Sequence, residues 1–162
     1  MFAPGRKLRL PAPPAVLSLP ALLVLEKFLN RTLADAIRAD ELYFLQSRRI
    51  RIQITDLCFA FDVSFDGQRL KLQPSRADVD LCISGGSYEY LLLASRREDA
   101  DTLFFQRRLQ TEGDTELGLE VKNFLDGQDL SNKPLLQLLE SALGKLVRTI
   151  ETIRAPRGAY PQ

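Results

Sequence analysis

From Ile50 onward, apolar and polar residues alternate one by one. Ile50, Ile52 and Ile54 stand against Arg51, Gln53 and Thr55, and Phe59, Phe61, Val63 and Phe65 against Ala60, Asp62 and Ser64. A period of two puts each set on its own side of a strand. Asp56-Leu57 suits a tight connection between the two runs, and Asp66-Gly67 is a hairpin signal, because both residues tolerate positive φ. Leu70 and Leu72 carry the meander on to Pro74. Val79, Leu81 and Ile83, alternating with Asp78, Asp80 and Cys82, predict a fourth strand. One face of such a sheet is apolar and aromatic while the other is charged and wet. That pattern predicts an α+β fold, an antiparallel sheet covered on one side by helices.

Helical periods flank the sheet. Leu22, Leu25, Leu29, Leu33, Ala36 and Ile37 follow three-four spacing, with Glu26, Asn30, Arg31, Asp35 and Arg38 on the opposite, polar face. Pro11, Pro13 and Pro14 predict an extended segment before them. Between Asp101 and Asp126 the chain reads as a helix end carrying Phe104 and Phe105, a short strand, a Gly113-Asp114 corner and a second helix. Leu117, Val121, Phe124 and Leu125 share one stripe of that helix. Asp114 suits its N-cap, Glu116 its first turn and Gly127 its stop. A final helix is predicted from Pro134 to Ile153, with Leu135, Leu139, Ala142, Leu146, Ile150 and Ile153 on one broad apolar face. These signals divide the chain into an extended leader over 1–14, one domain over 15–155 and a tail over 156–162.

Composition mostly removes possibilities. A chain of 162 residues with 45% apolar and 27% charged residues is long enough for one real hydrophobic core. The net charge of +1 makes no case for nucleic-acid binding. Charge is uneven, though: residues 1 to 60 hold nine basic against five acidic side chains, and the segment from Lys133 holds five against two. Basic ends such as Arg6, Lys7, Arg9, Lys145, Arg148, Arg154 and Arg157 suit an anionic membrane surface. The blander reading is a solvated face on an Arg-rich protein. The apolar stretch Ala15 to Leu25 after the basic leader resembles a signal peptide, but it is short, contains Ser18 and Pro20 and has no convincing cleavage site. A cytoplasmic protein, peripheral at most to the inner membrane, is therefore expected.

Chemistry is sparse. The chain has no histidine, so Ser-His-Asp and Cys-His nucleophile schemes have no base within it. Its two cysteines, Cys58 and Cys82, cannot form a four-cysteine metal site and read as buried thiols. Ser84-Gly85-Gly86-Ser87 lacks the Lys-Ser/Thr ending of a phosphate loop, and a turn capped by Ser84 or Ser87 before a helix from Tyr88 explains it without a ligand. Asp78 with Asp80, and Glu112 with Asp114, read as solvated carboxylates. Asp99 and Asp101 read as N-terminal charges of a short helix. No catalytic residue, metal ligand or cofactor loop is assigned.

The element order helix, meander, fourth strand, two helices, fifth strand, helix resembles the sterol carrier protein type-2 domain family. The strand from Asp80 through Ile83-Ser84 to Gly85 and the Gly113-Asp114 corner carry the likeness. So do Asp40 to Leu45 (DELYFL) and Asp99 to Asn123 (DADTLFFQRRLQTEGDTELGLEVKN), which are similar to a branch of the family serving bacterial ubiquinone synthesis. The likeness spans roughly residues 20 to 130. It implies a five-stranded, mostly antiparallel sheet with helices on one face and a hydrophobic cavity between them. It also implies a non-enzymatic role in oxygen-independent ubiquinone synthesis beside proteins of the UbiU and UbiV type. The ligand expected is a polyprenylated quinone precursor or a phospholipid. Phe59, Phe61, Phe65, Phe104, Phe105, Leu117, Val121, Phe124 and Leu139 are the expected lining. The competing reading is a scaffold that assembles partner proteins, or a homodimer, through the same apolar surfaces without a stoichiometric lipid.

Overall fold

The computed structural model describes residues 15–75 and 78–128, those from 15 to 18 by backbone alone. The Pro-rich leader, the final helix predicted from Pro134 and its Leu139 lie outside the described residues. The chain forms α1 (Ala15–Thr32), α2 (Ala34–Arg38), a 3-10 turn (Tyr43–Leu45), β1 (Arg49–Ile54), β2 (Phe59–Phe65), β3 (Leu70–Pro74) and β4 (Leu81–Gly85). It continues as α3 (Ser87–Ala94), α4 (Ala100–Phe105), β5 (Gln110–Gly113) and α5 (Thr115–Gly127). The five strands make one sheet in the order β3-β2-β1-β4-β5. Every neighbouring pair is antiparallel except β1 with β4. The alternation from Ile50 to Leu72 thus reports the meander faithfully, and β4 is laid on its far side, parallel to β1.

Register sets the two faces. Phe61 lies opposite Ile52, which lies opposite Ile83, and Val63 opposite Ile50, which lies opposite Leu81. Leu72 faces Val63 and Leu70 faces Phe65 across β3. These residues form the apolar face, and most of them sit in one buried cluster with Leu22, Leu42, Leu45, Leu117 and Val121. Burying side chains of this size contributes about 1.5–3 kcal/mol each before conformational entropy is charged. The opposite face carries Arg51, Gln53, Asp62 and Cys82. It is less wet than the alternation predicts: Asp62 is only 4% exposed. Both its carboxylate oxygens accept from Arg51 across the β1–β2 pair, from Nε at 2.8 Å and from Nη2 at 3.1 Å. A buried carboxylate is tolerable only with such a partner.

α1 begins seven residues before Leu22 and passes through Pro20. A proline so near the N-terminus forfeits a single backbone bond, so the helix continues across it. Its supposed polar face is not free. The Asn30 side-chain amide donates to Leu70 O at 2.9 Å and accepts from Leu70 N at 2.8 Å, and Glu26 accepts from Leu72 N at 2.8 Å. Four residues of helix rise about 6 Å and two residues of strand about 6.7 Å, so side chains at i and i+4 meet alternate backbone groups of an adjacent strand. The remaining outward position of β3 is Pro74, which has no N–H to offer. An edge strand is a standing risk of unwanted pairing. Here the helix covers it.

The corners have local causes. Asp66 accepts from the N–H groups of Gln68 and Arg69, closing the β2–β3 hairpin, and those bonds hold its carboxyl below the usual range. Gly113 adopts φ +119°, and a Cβ there would overlap the Asp80 carbonyl. Asp114 caps α5 by accepting from Leu117 N at 3.0 Å, and its second oxygen pairs with Arg48. Asp99 caps α4 by accepting from Thr102 N at 2.6 Å. Neither Ser84 nor Ser87 caps α3. Asp56, from the β1–β2 turn, accepts from the Ser87 N–H at 2.9 Å and from its hydroxyl at 2.5 Å. β4 starts at Leu81 rather than Val79, because Asp80 is diverted: its carboxylate accepts from Arg49 N and its carbonyl from Asp114 N.

Candidate functional site

The residues expected to meet a greasy ligand converge, with two exceptions. Phe59, Phe61 and Phe65 from β2 and Leu117 and Val121 from α5 are buried in the main apolar cluster. Phe104 and Phe124 pack against it from α4 and α5. Alternation in the strand and three-four spacing in α5 deliver all of these to one side of the sheet. Phe59 and Phe61 lie 5.7 Å apart between ring centroids, and Phe124 lies 5.8 Å from Phe44. Both pairs are tilted, a favoured geometry for stacked quadrupoles. Leu139 lies outside the described residues. Phe105 is a correction: it is 91% exposed at the end of α4 and touches neither cluster. Consecutive helical residues point about 100° apart, so with Phe104 turned inward Phe105 is turned out.

A second apolar cluster went unnoticed in the sequence. Leu92, Leu103 and Leu109 bury one another under α3 and α4, and Tyr90 and Phe104 bridge them to the main cluster. Leu92 and Leu103 sit in helices of eight and six residues, too short to show a period. The Tyr90 hydroxyl lies 3.0 Å from Ile83 O and 3.3 Å from Gln53 O, bonding across the parallel β1–β4 pair. Burial pushes its phenol well above the ordinary range. Tyr90 therefore stays a neutral donor that anchors α3 to the sheet.

Polar groups near the clusters are structural. Arg108 is held by Glu98 at 2.7 Å and Glu89 at 3.3 Å, tying the α4–β5 corner to α3. Its guanidinium is raised above its ordinary pKa, first by the Glu98 hydrogen bond. Cys58 and Cys82 are thiols outside any disulfide, and they are half-buried rather than fully buried. Burial pushes the Cys82 thiol up, away from the reactive thiolate. An open cleft of about 440 Å³ lies where α3 ends, α4 begins and α5 ends. Arg96, Arg97, Asp99, Asp101 and Asp126 line much of it, so it offers little to an isoprenoid chain. The apolar weight of the molecule lies instead between the sheet and its helices. Among the described residues, no helix is long and apolar enough to cross a membrane.

The sheet is mixed, with an apolar face under helices and β4 laid parallel to β1. The profile of the SCP-2 sterol transfer family matches residues 25–126, which spans all five strands, and this chain belongs to that family. The Escherichia coli K12 protein named ubiquinone biosynthesis accessory factor UbiT is 38% identical over 141 residues, covering 78% of this chain and 80% of its own. The same-named protein of Escherichia coli O157:H7 matches to the same extent. Among solved structures, "UbiJ-SCP2 Ubiquinone synthesis protein" superposes with a TM-score of 0.57 at 15% identity. It covers 68% of this chain and 96% of that one, a likeness of fold.

Proposed function

We propose that this protein is a lipid-binding accessory factor of ubiquinone biosynthesis. It sequesters a polyprenylated quinone precursor, or another long-chain lipid, between the sheet and its helices, and presents it to membrane-associated hydroxylation enzymes in the oxygen-independent route. Proteins of the UbiU and UbiV type are the partners this reading requires, and the protein itself performs no step on the ring. The observation that carries the reading is the 38% identity to UbiT over four fifths of that protein's length. Its support in the molecule is the shared apolar face of Phe59, Phe61, Phe65, Leu117, Val121 and Phe124, with no histidine anywhere in the chain.

The energetics fit a carrier. A polyprenyl tail is nearly insoluble, and sequestering even ten methylene equivalents contributes about 8 kcal/mol at ~0.8 kcal/mol per CH₂, before ordering costs. Solvent extraction of the protein purified from quinone-producing cells, followed by mass spectrometry, tests the proposal. A polyprenylated aromatic or a phospholipid in near-stoichiometric amount is the expected result. A folded, lipid-free protein that takes up no added precursor but still assembles the partner enzymes would replace the carrier with the scaffold.

A further inference from the structure

We infer that the free edge of β5 pairs with the same edge of a second copy of this chain, antiparallel about a two-fold axis at Thr111. The two edges of the sheet differ. On β3, Asn30 and Glu26 take up the outward backbone groups of Leu70 and Leu72. β5 is the other edge strand, and all four of its residues, Gln110–Gly113, are exposed. Gln110 and Glu112 lie on the polar side of the sheet with their partners Ser84 and Cys82, while Thr111 lies on the helix side with Ile83. Their shared exposure leaves this strand open above, below and along its edge. Register shows which groups the edge offers. Thr55 N–H donates to Gly85 O, so odd residues of β4 turn their backbone groups to β1 and even ones turn theirs to β5. Asp114 N–H donating to Asp80 O agrees. Glu112 and Gln110 are thus the bonded partners of Cys82 and Ser84, and Thr111 between them turns its N–H and C=O outward. Among the described residues, nothing meets those two groups.

A second copy fits because the charges along this edge are opposite at its two ends. Arg107 stands before the strand, and Glu112 and Glu116 stand near its end and just beyond. All three are exposed, and none has an ion pair among the described residues. Their charged neighbours are already occupied: Arg108 by Glu89 and Glu98, Asp101 by Lys122 and Asp114 by Arg48. An antiparallel copy sets Arg107 of each chain toward the acidic end of the other, twice over, as a two-fold joint requires. With Thr111 opposite Thr111, the two residues exchange both backbone bonds and their β-branched side chains meet. On the other face Gln110 stands opposite Glu112 of the second copy, amide against carboxylate. An axis at Glu112 would oppose two carboxylates and run the ladder through Gly113, whose φ of +119° departs from a strand. Pairing stops at Leu109, whose N–H already donates to Leu103 O at 3.1 Å. Phe105, 91% exposed two residues before Arg107, adds an apolar contact at each end of the joint. So short a joint falls below the roughly 800 Å² per partner of a standard interface, so the dimer is weak and fills as concentration rises. It makes one continuous sheet of two, whether or not a lipid is bound.

Sedimentation equilibrium of the full chain from about 5 to about 500 µM tests the inference, the upper end being what a joint of this size needs. A monomer–dimer equilibrium in the parent, weakened about tenfold or more in Thr111→Pro, is the expected result. Proline there removes an N–H that β4 does not use, so the strand itself should survive, which circular dichroism checks. Cross-linking gives a second measurement. In a chain carrying Cys58→Ser and Cys82→Ser, Thr111→Cys should form a disulfide-linked dimer about fivefold faster than Glu112→Cys under one mild oxidant, because facing Cα atoms of a bonded pair lie about 5.5 Å apart. A parent that stays monomeric throughout, or a dimer indifferent to Thr111→Pro, overturns the inference. So does Glu112→Cys linking as fast as Thr111→Cys. If Thr111→Pro proves unfolded, the parent equilibrium and the cysteine pair decide the matter without it.

Discussion

Replacing Asn30 with alanine removes the clamp that holds α1 to the edge of the sheet. The Asn30 amide donates to Leu70 O at 2.9 Å and accepts from Leu70 N at 2.8 Å, and it also donates to Glu26 O at 2.8 Å. Each edge bond is worth about 1 kcal/mol net, and half-buried backbone groups left without partners add somewhat more. Alanine's better helix propensity returns about 0.5 kcal/mol. The expected net loss is about 2 kcal/mol, which for a chain of this length lowers Tm by roughly 4–8 °C. Asn30→Asp sharpens the test, because the shape is kept while a carboxylate is set against the Leu70 carbonyl and beside Glu26. It should cost at least as much as alanine. Urea melts followed by far-UV circular dichroism give both values, with an unchanged m-value showing that the native state stays compact. If both variants stayed within about 0.5 kcal/mol of the parent, the edge bonds would be ornamental and the covering of β3 would need another cause.

Three further outcomes follow from the same geometry. Gly113→Ala should lose about 2–4 kcal/mol in a chemical melt, because φ +119° is strained for alanine and its Cβ would press on the Asp80 carbonyl; a loss below 1 kcal/mol would mean that this corner relaxes freely. Asp62→Ala should cost about 2–3 kcal/mol by removing the carboxylate that holds the half-buried Arg51 guanidinium, while the double change Arg51→Met/Asp62→Leu should recover most of that loss in the same assay. Acid should weaken the caps. The carboxyls of Asp99 and Asp114 are lowered chiefly by accepting backbone N–H bonds, so their contribution is complete above the unfolded value near 4 and is lost as pH falls through the folded value. Asp99→Asn/Asp114→Asn keeps both acceptors without the charge, so Tm between about pH 2 and 5 should vary less than in the parent.

The sequence was most legible where one periodic signal acted alone. Strands β1 to β3 alternate because one face is buried and the other is polar, and the aromatic residues of β2 were placed correctly on that evidence. The caps of α4 and α5 were legible because Asp99 and Asp114 act on their own helices. Bonds between distant segments left no local trace. Glu26 and Asn30 look like solvent-facing residues of an amphipathic helix until β3, some forty residues on, supplies their partners. Asp56 caps α3 from a turn thirty-one residues earlier, which no reading of Ser84 to Ser87 would show. Phe104 and Phe105 look identical as letters, and only the rotation of a six-residue helix sends one inward and the other into solvent. The cluster of Leu92, Leu103 and Leu109 was hidden because its helices, of eight and six residues, are too short for a repeating stripe to stand out.

The most direct test of the central claim is native mass spectrometry of the full chain, comparing Phe124→Asp with Glu120→Ala. Phe124 packs against Phe44 at the border of the apolar cluster, whereas Glu120 is an exposed residue of the same helix. The account predicts a lipid adduct on the parent and on Glu120→Ala, released on unfolding, and its loss from Phe124→Asp that circular dichroism shows to be folded. Equal lipid content in folded forms of both variants would place the ligand elsewhere, and a lipid-free parent from quinone-producing cells would contradict the carrier itself.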